Sequence, residues 1–257
     1  PHYAEAYYNL GLVYQNRNDL EIAKLSYLKA LEIEPNYAEA HYNLGIIFYD
    51  QGDKANSIMC LKNTLAIKPH TGEARHLIDA LEGNTTSSPP AGYVEKLFDH
   101  YAINFEHSLI GKLNYETPRV LTKIIRKYSQ KSLGSVLDLG CGTGLIGKEL
   151  GKYCTNLVGI DLSKSMLEQA RKKSIYDELN QCDLTDYLSA KRLNFDYFIA
   201  ADVFVYVGEL LEVFQLIKSR NCKSGRLVFS TEHTGKDGYH LEKSGRYSHS
   251  KNYIKNI

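Results

Sequence analysis

Residues 136–144, Val136-Leu-Asp-Leu-Gly-Cys-Gly-Thr-Gly144, set an acid two positions ahead of alternating glycines. An apolar strand that runs into Gly140, Gly142 and Gly144 makes a tight turn, because glycine adopts backbone angles that a Cβ disfavours. A nucleotide-like ligand can then lie against bare backbone where the next helix begins. Gly142-Thr-Gly144-Leu-Ile-Gly147 also satisfies G-x-G-x-x-G, the spacing of a dinucleotide site. Charge separates the two options. Asp138 points a carboxylate at the mouth of the turn, where it repels a pyrophosphate and attracts an amino group or a sulfonium. The register agrees, since the glycine run starts at the strand end and Gly142 comes too late for the dinucleotide pattern. The site suits a cationic amino-acid ligand better than a dinucleotide.

Two further acids fall at expected strand ends. Leu157-Val-Gly-Ile-Asp161 ends about 20 residues after the turn, where a carboxylate accepts both hydroxyls of a ribose. Such an acid serves several adenosyl ligands, so Asp161 alone does not discriminate among them. Ser163 is placed to cap the next helix, and Met166 either lies on an adenine face or belongs to the core. Gln181-Cys-Asp183-Leu184 sets an acid after a third strand, able to accept from an adenine amino group or to cap a helix.

The elements that must position these residues follow from apolar periodicity. Strands are expected at 135–139, 157–160, 196–200 and 227–231, with a weaker one near 177–180. Helices fit at 145–153, 164–173 and 208–219, preceded by helical spacing over 93–109 and 118–128. Strand–helix alternation of this kind builds a doubly wound parallel sheet covered on both faces.

The front of the chain is different. Residues 2–35 and 36–69 align at an offset of 34 with twelve identities, among them Tyr3/Tyr37, Leu10/Leu44, Gly11/Gly45 and Pro35/Pro69. The pattern resembles the tetratricopeptide repeat. The first copy keeps Tyr7, Leu10, Gly11, Tyr14, Ala23, Tyr27, Ala30 and Pro35. The second keeps Leu44, Gly45, Phe48 and Pro69 but has His41, Ser57, Leu61 and Thr64 at the other positions. A third amphipathic stretch, 73–81, reads as a capping helix. The resemblance implies a protein or peptide partner, with Asn9 and Asn43 on the concave side. The division expected is therefore 1–82 for the repeats, 83–91 for a flexible Gly/Ser/Pro-marked linker, and 92–257 for the α/β domain.

Composition excludes several classes. Lys plus Arg total 31 against 30 for Asp plus Glu, a net charge of +1 that gives no sign of a nucleic-acid partner. Apolar residues make up 43%, mean hydropathy is −0.35, and no run approaches the ~18 apolar residues of a membrane span. The five cysteines are scattered and never spaced as C-x-x-C, so a metal site is not expected and a reducing, cytoplasmic setting is.

Taken in order, D-L-G-C-G-T-G, G-I-D-L-S, C-D and F-D-Y-F-I-A-A-D resemble the class I S-adenosylmethionine-dependent methyltransferases over roughly 93–232. With the preceding L-F-D-H-Y-A-I-N-F-E-H-S-L and the later A-D-V-F-V-Y-V-G-E-L and G-R-Y-S-H-S, the chain is similar to bacterial predicted methyltransferases that carry tetratricopeptide repeats. The resemblance implies a Rossmann-like domain with S-adenosyl-L-methionine as cofactor. It implies that Asp138 orients the methionine amino group, Asp161 binds ribose and Asp183 the adenine. Gly140, Cys141, Gly142, Gly144, Leu162, Met166, Leu184 and Ala201 then line the cofactor, with Tyr101 or Phe105 closing over it.

The acceptor is less legible. The N-P-P-Y type motif is absent after the fourth strand, where the chain reads Ala200-Ala-Asp-Val-Phe-Val-Tyr206. Small-molecule oxygen or carboxylate acceptors are more compatible. Tyr206 and His233 are the candidate catalytic groups, and Arg246 and His249 the candidate substrate contacts, Arg246 as a bidentate partner for an acid. The alternative is a scaffold whose α/β domain holds cofactor without turnover. The resemblance also implies seven strands, whereas only 26 residues follow the fifth, and they are polar without alternating apolar runs. A sheet cut short after its fifth strand, with an exposed edge, a short terminal helix over 250–257 and further repeats ahead of Pro1, is the expectation.

Overall fold

Small residues decide how the first helices pair. Helices α1 (His2–Asn16) and α2 (Leu20–Ile33) close on Gly11, where a Cβ would fall onto the Tyr27 ring. Ala23, Tyr27 and Ala30 are buried, and the Tyr27 hydroxyl donates to Gln15 Oε1 at 2.6 Å. Helices α3 (Ala38–Asp50) and α4 (Lys54–Ile67) repeat the arrangement. Ser57, Leu61 and Thr64 depart from the repeat pattern, yet all three are buried. Ser57 Oγ donates to the Gly45 carbonyl at 3.0 Å, which offsets the cost of burying the hydroxyl. Helix α5 (Gly72–Glu82) covers the second pair with Ala74, Leu77 and Ile78 packed against Leu61 and Leu65. Asn43 donates to the Tyr8 hydroxyl at 3.3 Å, while Asn9 is exposed.

This computed structural model describes residues 2–90, 92–102, 105–106, 115–129, 132–190 and 192–257, with the backbone alone for His2, His100 and Tyr101. It divides into two compact units, Pro1–Thr85 with Glu242–Gly245, and Thr86–Leu241 with Arg246–Ile257. The boundary falls inside the expected linker. Its second half is not free: Glu209 N donates to the Ser87 carbonyl at 2.8 Å, and Thr86 Oγ1 lies 2.7 Å from the Tyr247 hydroxyl. Glu242–Gly245, expected with the α/β domain, clusters instead with the repeats.

The second unit opens with α6 (Tyr93–Tyr101) and α7 (Thr117–Lys127), the latter started by proline in its first turn. Five strands follow: β1 (Gly134–Leu139), β2 (Cys154–Asp161), β3 (Glu178–Gln181), β4 (Tyr197–Ala200) and β5 (Arg226–Phe229). They form one parallel sheet in the order β3-β2-β1-β4-β5, with Asp138 opposite Gly159 on one side and Ile199 on the other. Helices α8 (Leu145–Leu150), α9 (Lys164–Lys172), α10 (Leu184–Ala190) and α11 (Leu211–Arg220) fill the crossovers. Strand alternation splits the core. Leu137, Leu139, Ile160, Phe198 and Ala200 pack with Leu188, Val213 and Ile217 on one face; Val136, Leu157, Tyr197 and Ile199 pack with Leu121, Ile125, Ile146 and Leu150 on the other. Helix α10 went unread in the sequence.

The tail corrects the expectation of a strandless polar segment. Strands β6 (Glu232–His233), β7 (Tyr239–Leu241) and β8 (Tyr247–His249) make a separate small sheet in the order β6-β8-β7. The short terminal helix forms as expected, α12 (Lys251–Asn256), with Ser250 Oγ accepting from Tyr253 N at 3.0 Å. Tyr253, Ile254 and Ile257 pack against the main core, so apolar surface expected to lie bare is partly covered. No helix among the described residues is long and apolar enough to cross a membrane.

Candidate functional site

Sheet order places one carboxylate at or just past the end of each of four adjacent strands. Across β3, β2, β1 and β4 these are Asp183, Asp161, Asp138 and Asp202, and all four line one cavity of about 1130 Å³. The crossover from β3 to β4 passes over β2 and β1, so strand order reverses between β1 and β4, which opens the crevice at the carboxyl ends where such sheets hold ligands. Gly140 lets the rim close. Its φ is +62°, and a Cβ there would lie 2.5 Å from Val203 Cγ2 on the segment after β4.

Asp138 is only 1% exposed and accepts from the Tyr176 hydroxyl at 2.6 Å. Burial pushes its carboxyl up to about 7, against the Tyr176 hydrogen bond, which favours the charged form, and with the nearby Asp161 adding repulsion. Asp161 is raised to about 6, again by burial, although Ser163 N and Gly142 N each donate to it at 2.8 Å. Those two bonds tie the glycine turn to the end of β2.

A folded-state pKa raised above the unfolded value of about 3.9 means that the native state holds the proton longer. For these two carboxyls, stability is therefore highest below about pH 4 and declines as pH rises toward about 6 and 7. In the ligand-free protein, Asp138→Asn is expected to gain melting temperature over wild type as pH goes from 5 to 8. Thermal melts of both across that range check it; parallel curves would remove Asp138 from the titration.

Asp183 accepts from Thr185 N at 2.7 Å, Thr185 Oγ1 at 2.5 Å and Asp186 N at 3.3 Å, all through Oδ1. The capping alternative is thus realised, and Oδ2 takes no hydrogen bond among the described residues. Ser163 caps α9, with Met166 N donating to its Oγ at 3.0 Å, and its hydroxyl donates to Asp99 Oδ1 on α6 at 2.6 Å. Met166 is both buried and part of the cavity wall, so the core and ligand-facing options coincide.

Residues 130–252 match the family described as a methyltransferase domain, and residues 16–52 and 38–71 match families described as TPR repeat and tetratricopeptide repeat. The chain carries a methyltransferase domain and tetratricopeptide repeats. It is 26% identical over 182 residues to an uncharacterized methyltransferase of Schizosaccharomyces pombe, spanning 62% of this chain and 64% of the relative. It is 28% identical over 99 residues to the ubiquinone biosynthesis O-methyltransferase of Coxiella burnetii, spanning 37% of this chain and 42% of the relative. The chain thus spans less than two thirds of these relatives' lengths. The solved N-methyltransferase NodS from Bradyrhizobium japonicum, in complex with S-adenosyl-L-homocysteine, aligns with a TM-score of 0.50 at 18% identity. It covers 63% of this chain and 83% of NodS, and the likeness shows a shared fold.

Within the methyltransferase domain the cavity wall includes Gly140, Cys141, Gly142, Leu162, Met166, Leu184, Ala201, Phe105 and Tyr206. The Tyr101 side chain lies outside the described residues. Gly144 stands behind the turn at the start of α8, against the Tyr176 ring, and is not in the wall. His233 is exposed on β6 and is not in the cavity wall. His249 is corrected from a substrate contact to an interior residue. It is 1% exposed, its Nε2 lies 2.9 Å from the Gly208 carbonyl and its Nδ1 2.6 Å from Thr231 Oγ1. With both ring nitrogens engaged, His249 has nothing to offer a ligand, and burial lowers its pKa, favouring the neutral ring. Arg246 reaches the wall, but its guanidinium is paired with Glu232.

Three residues of the site were missed by sequence reasoning. Tyr176 precedes β3 and reaches back to Asp138, a contact across 38 positions with no local signal. Tyr115 precedes α7, and burial, with the charge of Asp202 and a hydrogen bond to it, raises its hydroxyl pKa. Asp202 itself was readable as the acid after the fourth strand, by the same rule that singled out Asp161 and Asp183.

Proposed function

We propose that the methyltransferase domain binds S-adenosylmethionine over the turn at 140–144 and transfers its methyl group to a small-molecule acceptor in the same cavity. The observation that carries this reading is the pair Asp138 and Asp161. They are two largely buried carboxylates on adjacent strands beside a glycine turn, both destabilised in their charged form by burial and both in the cavity wall. A buried acid of that kind is relieved by a cationic ligand that brings its own donors. S-adenosylmethionine supplies an ammonium, a ribose diol and a methyl group activated by a sulfonium. Asp138 holds the ammonium, with Tyr176 keeping the carboxylate oriented. Asp161 accepts from the ribose hydroxyls through lone pairs not used by Gly142 and Ser163. Asp183 Oδ2 accepts from the adenine amine, and Met166, Leu162 and Leu184 cover the ring. Phe105 lies on the wall where closure would exclude water.

An acceptor oxygen on a small molecule is compatible with this cavity. A carboxylate acceptor loses its main support, because the arginine expected to clamp it is already neutralised by Glu232. We extend the proposal to the repeats, which would bind a protein or peptide partner on the surface carrying Asn43 and its tyrosine neighbours. A reducing, cytoplasmic setting belongs to the same proposal, supported by five cysteines that no disulfide joins among the described residues.

Calorimetric titration with S-adenosylmethionine, with its analogue lacking the amino group and with NADH tests the assignment. Micromolar binding of the first and none of NADH is expected. Asp138→Ala should weaken the first more than the analogue; equal losses would sink the role of Asp138, and tight NADH binding the whole reading.

A further inference from the structure

Beyond β1, on the side away from the proposed cofactor contacts, the cavity is walled by carboxylates and aromatic rings. Asp202 follows β4 with a φ of 55°, left-handed backbone that Asp tolerates better than most residues. Its carboxylate is fixed from two directions. Ser230 Oγ donates to Oδ1 at 2.5 Å, and the Tyr115 hydroxyl hydrogen-bonds to the same carboxylate. An ionised carboxylate offers about four acceptor sites, so two such bonds leave capacity for a ligand. Four residues on, Tyr206 meets Phe98 edge to face at 5.2 Å between centroids, and Phe98 meets Phe105 in the same way at 5.9 Å. Asp202, Tyr115, Phe98, Phe105 and Tyr206 all line the cavity.

Unpaired charge on this side is acidic. Glu209 and Glu212, which follow β4, join Asp202 on the wall, and Arg246 is ion-paired with Glu232. Clefts lined by one sign of charge raise the local concentration of the opposite ion. Carboxylate and aromatic faces together are what holds an ammonium in a partly dry site.

We propose that the methyl acceptor is a small cation, an amine-bearing molecule whose ammonium sits on the Asp202 carboxylate beside the rings of Phe98 and Tyr206. The inference rests on the cofactor reading above and adds the charge class of the substrate. An anionic acceptor would meet like charge from Asp202, Glu209 and Glu212. A neutral one would leave the carboxylate with its Ser230 and Tyr115 hydrogen bonds but with no opposite charge.

Benzylamine, benzyl alcohol and benzoate share one ring and differ in charge, so they read the preference directly. Each is titrated calorimetrically into the full chain saturated with S-adenosylhomocysteine, whose own binding is measured first. Benzylamine is expected to bind at least about tenfold tighter than benzyl alcohol, with benzoate undetected. In Asp202→Asn, checked for folding by circular dichroism, the amine and the alcohol should converge to within about twofold. Equal affinities in the wild type, tighter benzoate, or no binding of any of the three would overturn the inference while leaving the cofactor reading intact. Failure of S-adenosylhomocysteine to bind would overturn both. The wild-type comparison decides alone if the variant does not fold.

Discussion

Asp161→Ala is expected to weaken S-adenosylmethionine by about 100-fold or more, the largest single effect on ligand binding in this protein. Two losses combine. Hydrogen bonds to a charged acceptor contribute about 1.5–3 kcal/mol each, and the proposed ribose contact has two of them. The same carboxylate also takes Gly142 N and Ser163 N at 2.8 Å, so its removal frees the glycine turn from the end of β2. A factor of 100 corresponds to about 2.7 kcal/mol, less than the two ribose bonds alone could supply. Calorimetry on wild type and variant, with far-ultraviolet circular dichroism as the folding control, measures it. A folded variant within threefold of wild type would show that Asp161 serves only the turn.

The largest expected effect on stability is Phe204→Ala. Phe204 is fully buried, with Phe229 at 5.1 Å and Phe214 at 5.9 Å between ring centroids, so it joins β5 and α11 to the segment after β4. Truncating a buried phenylalanine costs about 3–5 kcal/mol, through lost transfer energy and the cavity left behind. The cost should sit near the upper end, because the two partner rings belong to separate elements and cannot both collapse inward. Denaturant titration gives the difference from the midpoint at constant slope. A loss below about 1 kcal/mol would mean that the aromatic cluster repacks. Since Phe204 lies between Asp202 and Tyr206, the variant should also loosen the acceptor side before the cofactor side.

Much of this protein is local in sequence, and that much the sequence determined alone. Two repeats at an offset of 34, a glycine turn after an apolar strand and acids at successive strand ends are short-range patterns. Each is carried by residues close in the chain, through apolar periodicity or, at the turn, the backbone freedom of glycine. From them followed the repeat helices, the doubly wound sheet and the carboxylates Asp138, Asp161 and Asp183.

What stayed hidden depends on contacts between distant segments. Nothing near Tyr176 announces Asp138, and nothing near Tyr115 announces Asp202; the sheet order brings each pair together. His249 and Arg246 both have the side-chain chemistry of substrate contacts, and only the structure shows His249 buried with both ring nitrogens engaged and Arg246 on the cavity wall paired with Glu232. The tail reads as polar because its short strands bury polar residues such as Ser248 and His249. His249 is stable there because its ring nitrogens find partners, a condition that composition and periodicity do not record. Tertiary structure thus decided which polar groups are spent inside the fold and which still face the cavity, because a hydrogen bond already made to the protein is no longer available to a ligand.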